Sequence, residues 1–238
     1  MSAGWATLPT LRRLALVTGL VVLGSLLAGA ARAAPTVSRS QILVTLLAPH
    51  EVHKWPSAKA ASLPLIGAQR PITGVRTVLP VLGHTKSWLH VRLPGRPNGL
   101  TGWIRKKSTV MSFTTWHLVV EIARRRVIAF HHGRVAKSFL AVVGKPSTPT
   151  PLGTFFVEEA IRLSPGGMGA PFALALSARS NVFQEFEGGP GQIALHGLTG
   201  IGGTPGTAVS HGCIRLDSAA MTWLVLRFHA GAPVTITN

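Results

Sequence analysis

The apolar residues of this chain come in short runs, and turn residues cut them before a helix can form. From Gln41 to Arg105 the runs are Gln41–Leu47, Val75–Leu82, Ser87–Leu93 and Gly102–Arg105. Pro94-Gly95 and Pro97-Asn98-Gly99 separate the last two, and such groupings favour tight reversals. In Trp88-Leu89-His90-Val91-Arg92-Leu93, alternate residues fall on one side, as in a strand with one buried face. No helix-length pattern appears here, so residues 35–112 are expected to form a small all-β unit. Trp88 and Trp103 are expected to pack in its core rather than stack on a ligand.

The stretch Ser108–Thr115 reads as a join to a second part, residues 113–238, whose pattern opens at Trp116. His117–Ile122 and Val127–His131 read as strands across a basic turn. His132-Gly133 turns the chain again, and Val135–Val143 continues as a longer apolar run. Thr148-Pro149-Thr150-Pro151-Leu152-Gly153 breaks the pattern, Thr154–Val157 resumes it, and glycine-rich Leu163–Pro171 reads as a mobile loop. Asp217–His229 is the one good helix candidate. Asp217 or Ser218 can cap it and Gly231 can end it. Pro233–Thr237 reads as a last strand. The expected class is therefore mainly β with one main helix.

Residues 1–34 have a different character. Arg12 and Arg13 precede the uncharged, mostly apolar run Leu14–Leu27, and Ala31-Arg32-Ala33 offers small residues at a cleavage site. This is the pattern of an export signal. The run is shorter than the roughly 20 apolar residues of a membrane span, and an uncleaved signal is the expected membrane attachment, if any. The formal charge is +17, and the three arginines of 1–34 leave +14 on the remainder. A basic exported protein is drawn to polyanions such as cell-wall polymers. Nucleic acid is not an expected partner, because the chain is exported and holds no nucleic-acid motif. Nothing calls for more than a monomer.

The chain holds one cysteine, Cys213, so no internal disulfide can form. Its neighbourhood is Ser210-His211-Gly212-Cys213-Ile214-Arg215. Upstream, strand-like Ile193-Ala194-Leu195 delivers His196-Gly197, and Leu198–Val209, with four glycines and one proline, must be a loop. That loop can bring His196 back to Cys213, and a thiol beside an imidazole is the basic kit of nucleophilic catalysis. Gly212 lets a backbone approach closely, and the N–H groups of Cys213 and Gly212 are candidate oxyanion donors. On residue types alone two other readings stay open. The cysteine can be buried and inert, or His196, His211 and Cys213 can ligate zinc.

The residues carry two resemblances. Ile193-Ala194-Leu195-His196-Gly197 and Ser210-His211-Gly212-Cys213-Ile214-Arg215-Leu216, with Gly144-Lys145-Pro146 and Thr148-Pro149-Thr150-Pro151-Leu152-Gly153-Thr154-Phe155 upstream, resemble the L,D-transpeptidase catalytic (YkuD-type) domain. Trp88–Gly99 with Thr101-Gly102-Trp103-Ile104 resembles the end of a bacterial SH3-like domain. After the signal at 1–34, the resemblances imply an SH3-like small β-barrel at 35–112 and an L,D-transpeptidase-type β-sandwich with one main helix at 113–238. They imply that Cys213 is the nucleophile, His196 the proton donor and acceptor, and His211 a supporting residue. By the same resemblance Gly197 would hold the imidazole tautomer through its carbonyl, Ser210 and Gly212 would shape the oxyanion pocket, and Arg215 would brace the cysteine loop, meet a substrate carboxylate or form a structural ion pair. No metal or cofactor is implied.

The implied substrates are peptidoglycan stem peptides in the cell envelope. A thioester forms with release of D-alanine, and the acyl group passes to another stem's amine or, in a carboxypeptidase, to water. A non-catalytic wall-binding protein is the other alternative. Leu198 stands where the family often has Thr or Ser. The chain has no tyrosine, so a tyrosine-bearing lid is absent, and Leu163–Pro171 or Phe183–Phe186 is expected in its place.

Overall fold

The computed structural model describes residues 1–4, 36–186 and 188–238. Beyond its first four residues, the export segment expected at 1–34 lies outside the described residues. Among the described residues no helix is long and apolar enough to cross a membrane.

Seven strands form the first sheet: β1 (Gln41–Leu46), β2 (His50–His53), β3 (Ser62–Ile66), β4 (Val78–His84), β5 (Trp88–Arg92), β6 (Thr101–Arg105) and β7 (Thr109–Thr114). Their order is β3-β2-β6-β5-β4-β1-β7, and every neighbouring pair is antiparallel. The inward residues Val44, Leu46, Val52, Leu79, Leu89, Val91 and Ile104 share one core. Trp88 is buried and carries the Arg105 guanidinium over its ring. Trp103 stacks on His90 with centroids 4.8 Å apart. Both tryptophans thus make contacts within the protein. The segment read as a join folds as β7, which pairs with β1 from Gln41↔Thr114 to Leu46↔Thr109. It escaped the pattern because its side chains are mostly exposed and present no apolar stripe.

The second part adds β8 (Trp116–Glu121), β9 (Arg126–His131), β10 (Arg134–Leu140), β11 (Val143–Gly144), β12 (Gly153–Arg162), β13 (Phe172–Arg179) and β14 (Gln192–Gly197). It ends with β15 (Ala208–Ser210), β16 (Ile214–Leu216), α1 (Ser218–Val225) and β17 (Pro233–Thr237). Eight of these strands run in the order β10-β9-β8-β17-β12-β13-β14-β16, while β11 and β15 pair separately. The long β12 changes partner midway. Gly153–Phe156 pairs with β17, and the rest pairs with β13 across a register shift at Val157–Glu159. Both halves of the sheet feed one core, with Leu118 and Val120 from β8 and Leu174, Leu176, Leu195 and Ile214 from the other half. The mainly β class, with a single helix among the described residues, is as expected.

The helix is shorter than its pattern. Asp217 caps it, its Oδ1 accepting from the Ala220 N–H at 2.7 Å, but the helix ends at Val225 rather than His229. Gly231 does not end it. The Gly231 N–H donates to the Val157 carbonyl, and a Cβ there would press on Val78 of β4. Gly231 therefore permits a close approach between the last turn and the first sheet. Phe156 of β12 completes that same junction, fully buried in the core of the first sheet.

Candidate active site

Strand β14 carries His196 as its penultimate residue. It pairs with β13 through Ala173↔His196 and with β16, in parallel, through His196↔Arg215. A parallel neighbour two residues beyond Cys213 returns the cysteine turn to the end of β14. The long loop Leu198–Val209 spans the distance that sequence separation left open. His196, His211, Cys213 and Arg215 line one cavity of about 650 Å3. Four separately read residues are thus brought together.

The His196 Nδ1 lies 2.8 Å from the Gly197 carbonyl. A carbonyl can only accept, so Nδ1 carries the proton and Nε2 holds the lone pair. Burial pushes the imidazole below its ordinary range. The Gly197 bond opposes that shift and the Arg215 charge adds to it. His196 is therefore a neutral imidazole at neutral pH. The Gly197 N–H in turn donates to the Gly169 carbonyl at 2.7 Å.

The cysteine turn is held from behind. The Ser210 hydroxyl, fully buried, donates to the Cys213 carbonyl at 2.6 Å and accepts from the Gly212 N–H at 3.1 Å. The Gly212 N–H is thereby engaged within the turn, so of the two expected oxyanion donors it is committed to Ser210. Gly212 has φ +120°, a conformation that side-chain-bearing residues rarely adopt. Two further residues, unassigned from sequence, hold the same turn. Thr148 Oγ1 donates to the Ser210 carbonyl at 3.1 Å, and Thr150 Oγ1 donates to the Gly212 carbonyl at 2.8 Å. Their signal was the Thr-Pro-Thr-Pro stretch itself. Proline has no N–H for a strand ladder, so the threonine hydroxyls do the bonding there.

Arg215 is buried and donates from Nη1 to the Gly202 carbonyl at 3.3 Å, tying the long loop to β16. Its Nε is buried with no hydrogen-bond partner. Burial lowers its pKa, and interaction with Cys213 opposes that shift. The structural ion pair considered for Arg215 is not among the salt bridges of the described residues. His211 is exposed on the rim, facing Phe183 and Phe186 with centroids 6.1 and 6.0 Å away. Those two phenylalanines line the cavity, as do Leu163, Met168 and Gly169 of the glycine-rich loop. Among the described residues no three His, Cys, Asp or Glu side chains group to hold a metal ion, so the zinc set of His196, His211 and Cys213 is not assembled.

The arrangement can take a proton from a thiol, hold a developing oxyanion and return the proton to a leaving group. Comparison with known proteins points the same way. A family model described as the L,D-transpeptidase catalytic domain (YkuD) matches residues 115–236. The Bacillus subtilis (strain 168) protein YkuD is 31% identical over 123 residues, which cover 52% of this chain and 66% of that protein, just under two thirds. L,D-transpeptidase 3 from Mycobacterium tuberculosis, solved with a faropenem-derived adduct, aligns at 14% identity and a TM-score of 0.44 over 68% of this chain and 91% of that one. The catalytic domain of the E. faecium enzyme, acylated by ertapenem, aligns at 22% identity and a TM-score of 0.39 over 51% and 96%. Neither score establishes a common overall fold, so the assignment rests on the family model.

Proposed function

The chain belongs to the L,D-transpeptidase catalytic domain family, and from that premise we propose that it is a peptidoglycan L,D-transpeptidase with Cys213 as nucleophile. The observation that carries this reading is the placement of His196 beside Cys213. The histidine shares the cavity with Cys213, with Nδ1 committed to Gly197 and Nε2 left as the basic atom.

The steps follow from those positions. His196 Nε2 takes the Cys213 thiol proton, and the sulfur attacks the carbonyl of the third residue in a donor stem peptide. The Cys213 N–H stabilises the tetrahedral oxyanion. As the C–N bond breaks, the imidazolium returns its proton to the departing D-alanine amine. An amine of a second stem then attacks the thioester, His196 takes its proton, and the thiol re-forms as the 3→3 cross-link is released. Attack by water in place of the amine gives trimming. Arg215, cationic with an unengaged Nε, meets a carboxylate of the substrate. His211 supports the rim.

In this reading 1–34 is the export signal, 35–112 an SH3-like unit and 113–238 the catalytic domain of a protein working in the cell envelope. The test uses residues 36–238 with tetrapeptide muropeptides and, separately, a carbapenem-type β-lactam. Cross-linked dimers and a single covalent adduct mapped to Cys213 are expected. Cys213→Ala should lose both, and cross-linking at the full rate in that variant would overturn the proposal.

A further inference from the structure

The turn between β5 and β6 belongs to the first sheet, yet its side chains bond to the loop that walls the Cys213 cavity. That loop runs from residue 180 to 191, between β13 and β14. It closes at its base, where the Ser180 N–H donates to the Gly191 carbonyl at 2.7 Å. The Ser180 hydroxyl accepts from the Phe183 N–H at 3.0 Å. The carbonyls of Ser180, Phe183 and Pro190 all turn toward one guanidinium. Arg96 Nη2 donates to Ser180 at 2.8 Å and to Phe183 at 2.6 Å, and Nη1 donates to Pro190 at 3.0 Å. Asn98 grips the loop's foot in both senses. Its Nδ2 donates to the Arg179 carbonyl at 2.8 Å and its Oδ1 accepts from the Arg179 N–H at 2.8 Å.

Gly191 makes the closure possible. It has φ +62°, and a Cβ there would overlap the Phe183 carbonyl and stand 3.2 Å from Arg96 Nη2. Phe183, fixed through its backbone carbonyl, packs on Phe186 at 5.4 Å and faces His211 at 6.1 Å. An unbroken line of contacts therefore runs from the first sheet to the residue two places before the nucleophile.

We propose that Arg96 and Asn98 are positioning residues, and that the first sheet holds the Phe183–Phe186 wall in place for the donor substrate. This rests on the reading of the cavity as the donor site. Arg96 acts through Phe183. A guanidinium has donors in a rigid planar fork and can serve three carbonyls at once. A lysine keeps the charge but is a compact point donor.

The experiment compares Arg96→Ala, Arg96→Lys and Asn98→Ala with the unmodified protein, residues 36–238. Three readouts are taken: hydrogen exchange of residues 180–191, alkylation of Cys213 by iodoacetamide, and kcat and KM for a tetrapeptide stem donor. Exchange at the Val182 and Phe183 amides should speed up in Arg96→Ala and Asn98→Ala. Arg96→Ala should raise KM about tenfold, with kcat and the iodoacetamide rate within about threefold, because a small reagent needs no wall. Arg96→Lys should fall between. Unchanged exchange in both alanine variants overturns the clamp. Faster exchange with unchanged KM overturns its role in donor binding. If the unmodified protein turns over no stem peptide, the proposed function fails, while the exchange arm still decides the clamp.

Discussion

In the proposed mechanism His196 is the residue on which the chemistry turns, and its surroundings set a testable pH dependence. Only the neutral imidazole can take the Cys213 proton. Burial lowers its pKa and outweighs the Gly197 carbonyl, so the neutral form persists to lower pH than for an ordinary histidine. The rate of Cys213 acylation should therefore rise with pH along an acid limb centred below about 6.5, the ordinary imidazole value. A limb centred above that value would contradict the role. His196→Gln should lower the acylation rate by about 100-fold or more while leaving the thiol in place. The shared place of Cys213 and His196 in one cavity was legible in the sequence, because a proposed base and nucleophile must be particular residue types. Thr148 and Thr150 were not assigned, because a buried hydroxyl that holds a carbonyl looks like any other threonine until its partner is located.

The elements differ in how plainly they announce themselves. Helix α1 begins at a cap that the sequence offers, and Asp217→Ala should cost about 1 kcal/mol, read as a shift in the denaturant midpoint. Because β16 ends one residue before this cap, the same variant also tests how firmly the helix anchors the cysteine turn. Strand β13 is the opposite case. Phe172–Arg179 is buried along nearly its whole length, so it shows no alternation, and its alanines give little propensity signal. It is nonetheless central, pairing with β12 and β14 and carrying His196 in register. Strand β7 escaped for the reverse reason, with little of it buried.

At the scale of the whole molecule the two sheets are joined by buried charge as well as by Phe156. Glu158 is fully buried and pairs with Arg70 from the first sheet's side and with Arg179 at 2.9 Å. Glu159, also buried, accepts from the Thr73 N–H and hydroxyl at 2.8 and 2.7 Å and stands 3.9 Å from Arg70 Nε. The register shift in β12 lets these consecutive carboxylates both reach Arg70. Burial lowers the Arg70 and Arg179 pKa values, the latter to about 10, so Arg179 remains a cation at neutral pH. Removing one partner leaves charge buried with fewer partners. Arg70→Met should therefore destabilise residues 36–238 by about 3–5 kcal/mol in urea unfolding. Arg70→Met with Glu158→Gln should cost less than the two single changes added together. Additive losses would mean the pair is not coupled across the junction.

Taken alone, the sequence determined a mainly β chain, a helix near its end and its cap, and one cysteine with a histidine it could reach. Those conclusions rest on local causes: period, turn chemistry and the fixed reactivity of a few side chains. Tertiary structure alone decided that the Gly212 N–H is engaged by Ser210. It also decided that Gly231 serves an approach to Val78 rather than a helix end, and that Arg96 reaches across to Phe183. Each of these is a contact between residues distant in the chain or folded back on themselves. No periodicity records such a contact, because it depends on where the backbone goes between them.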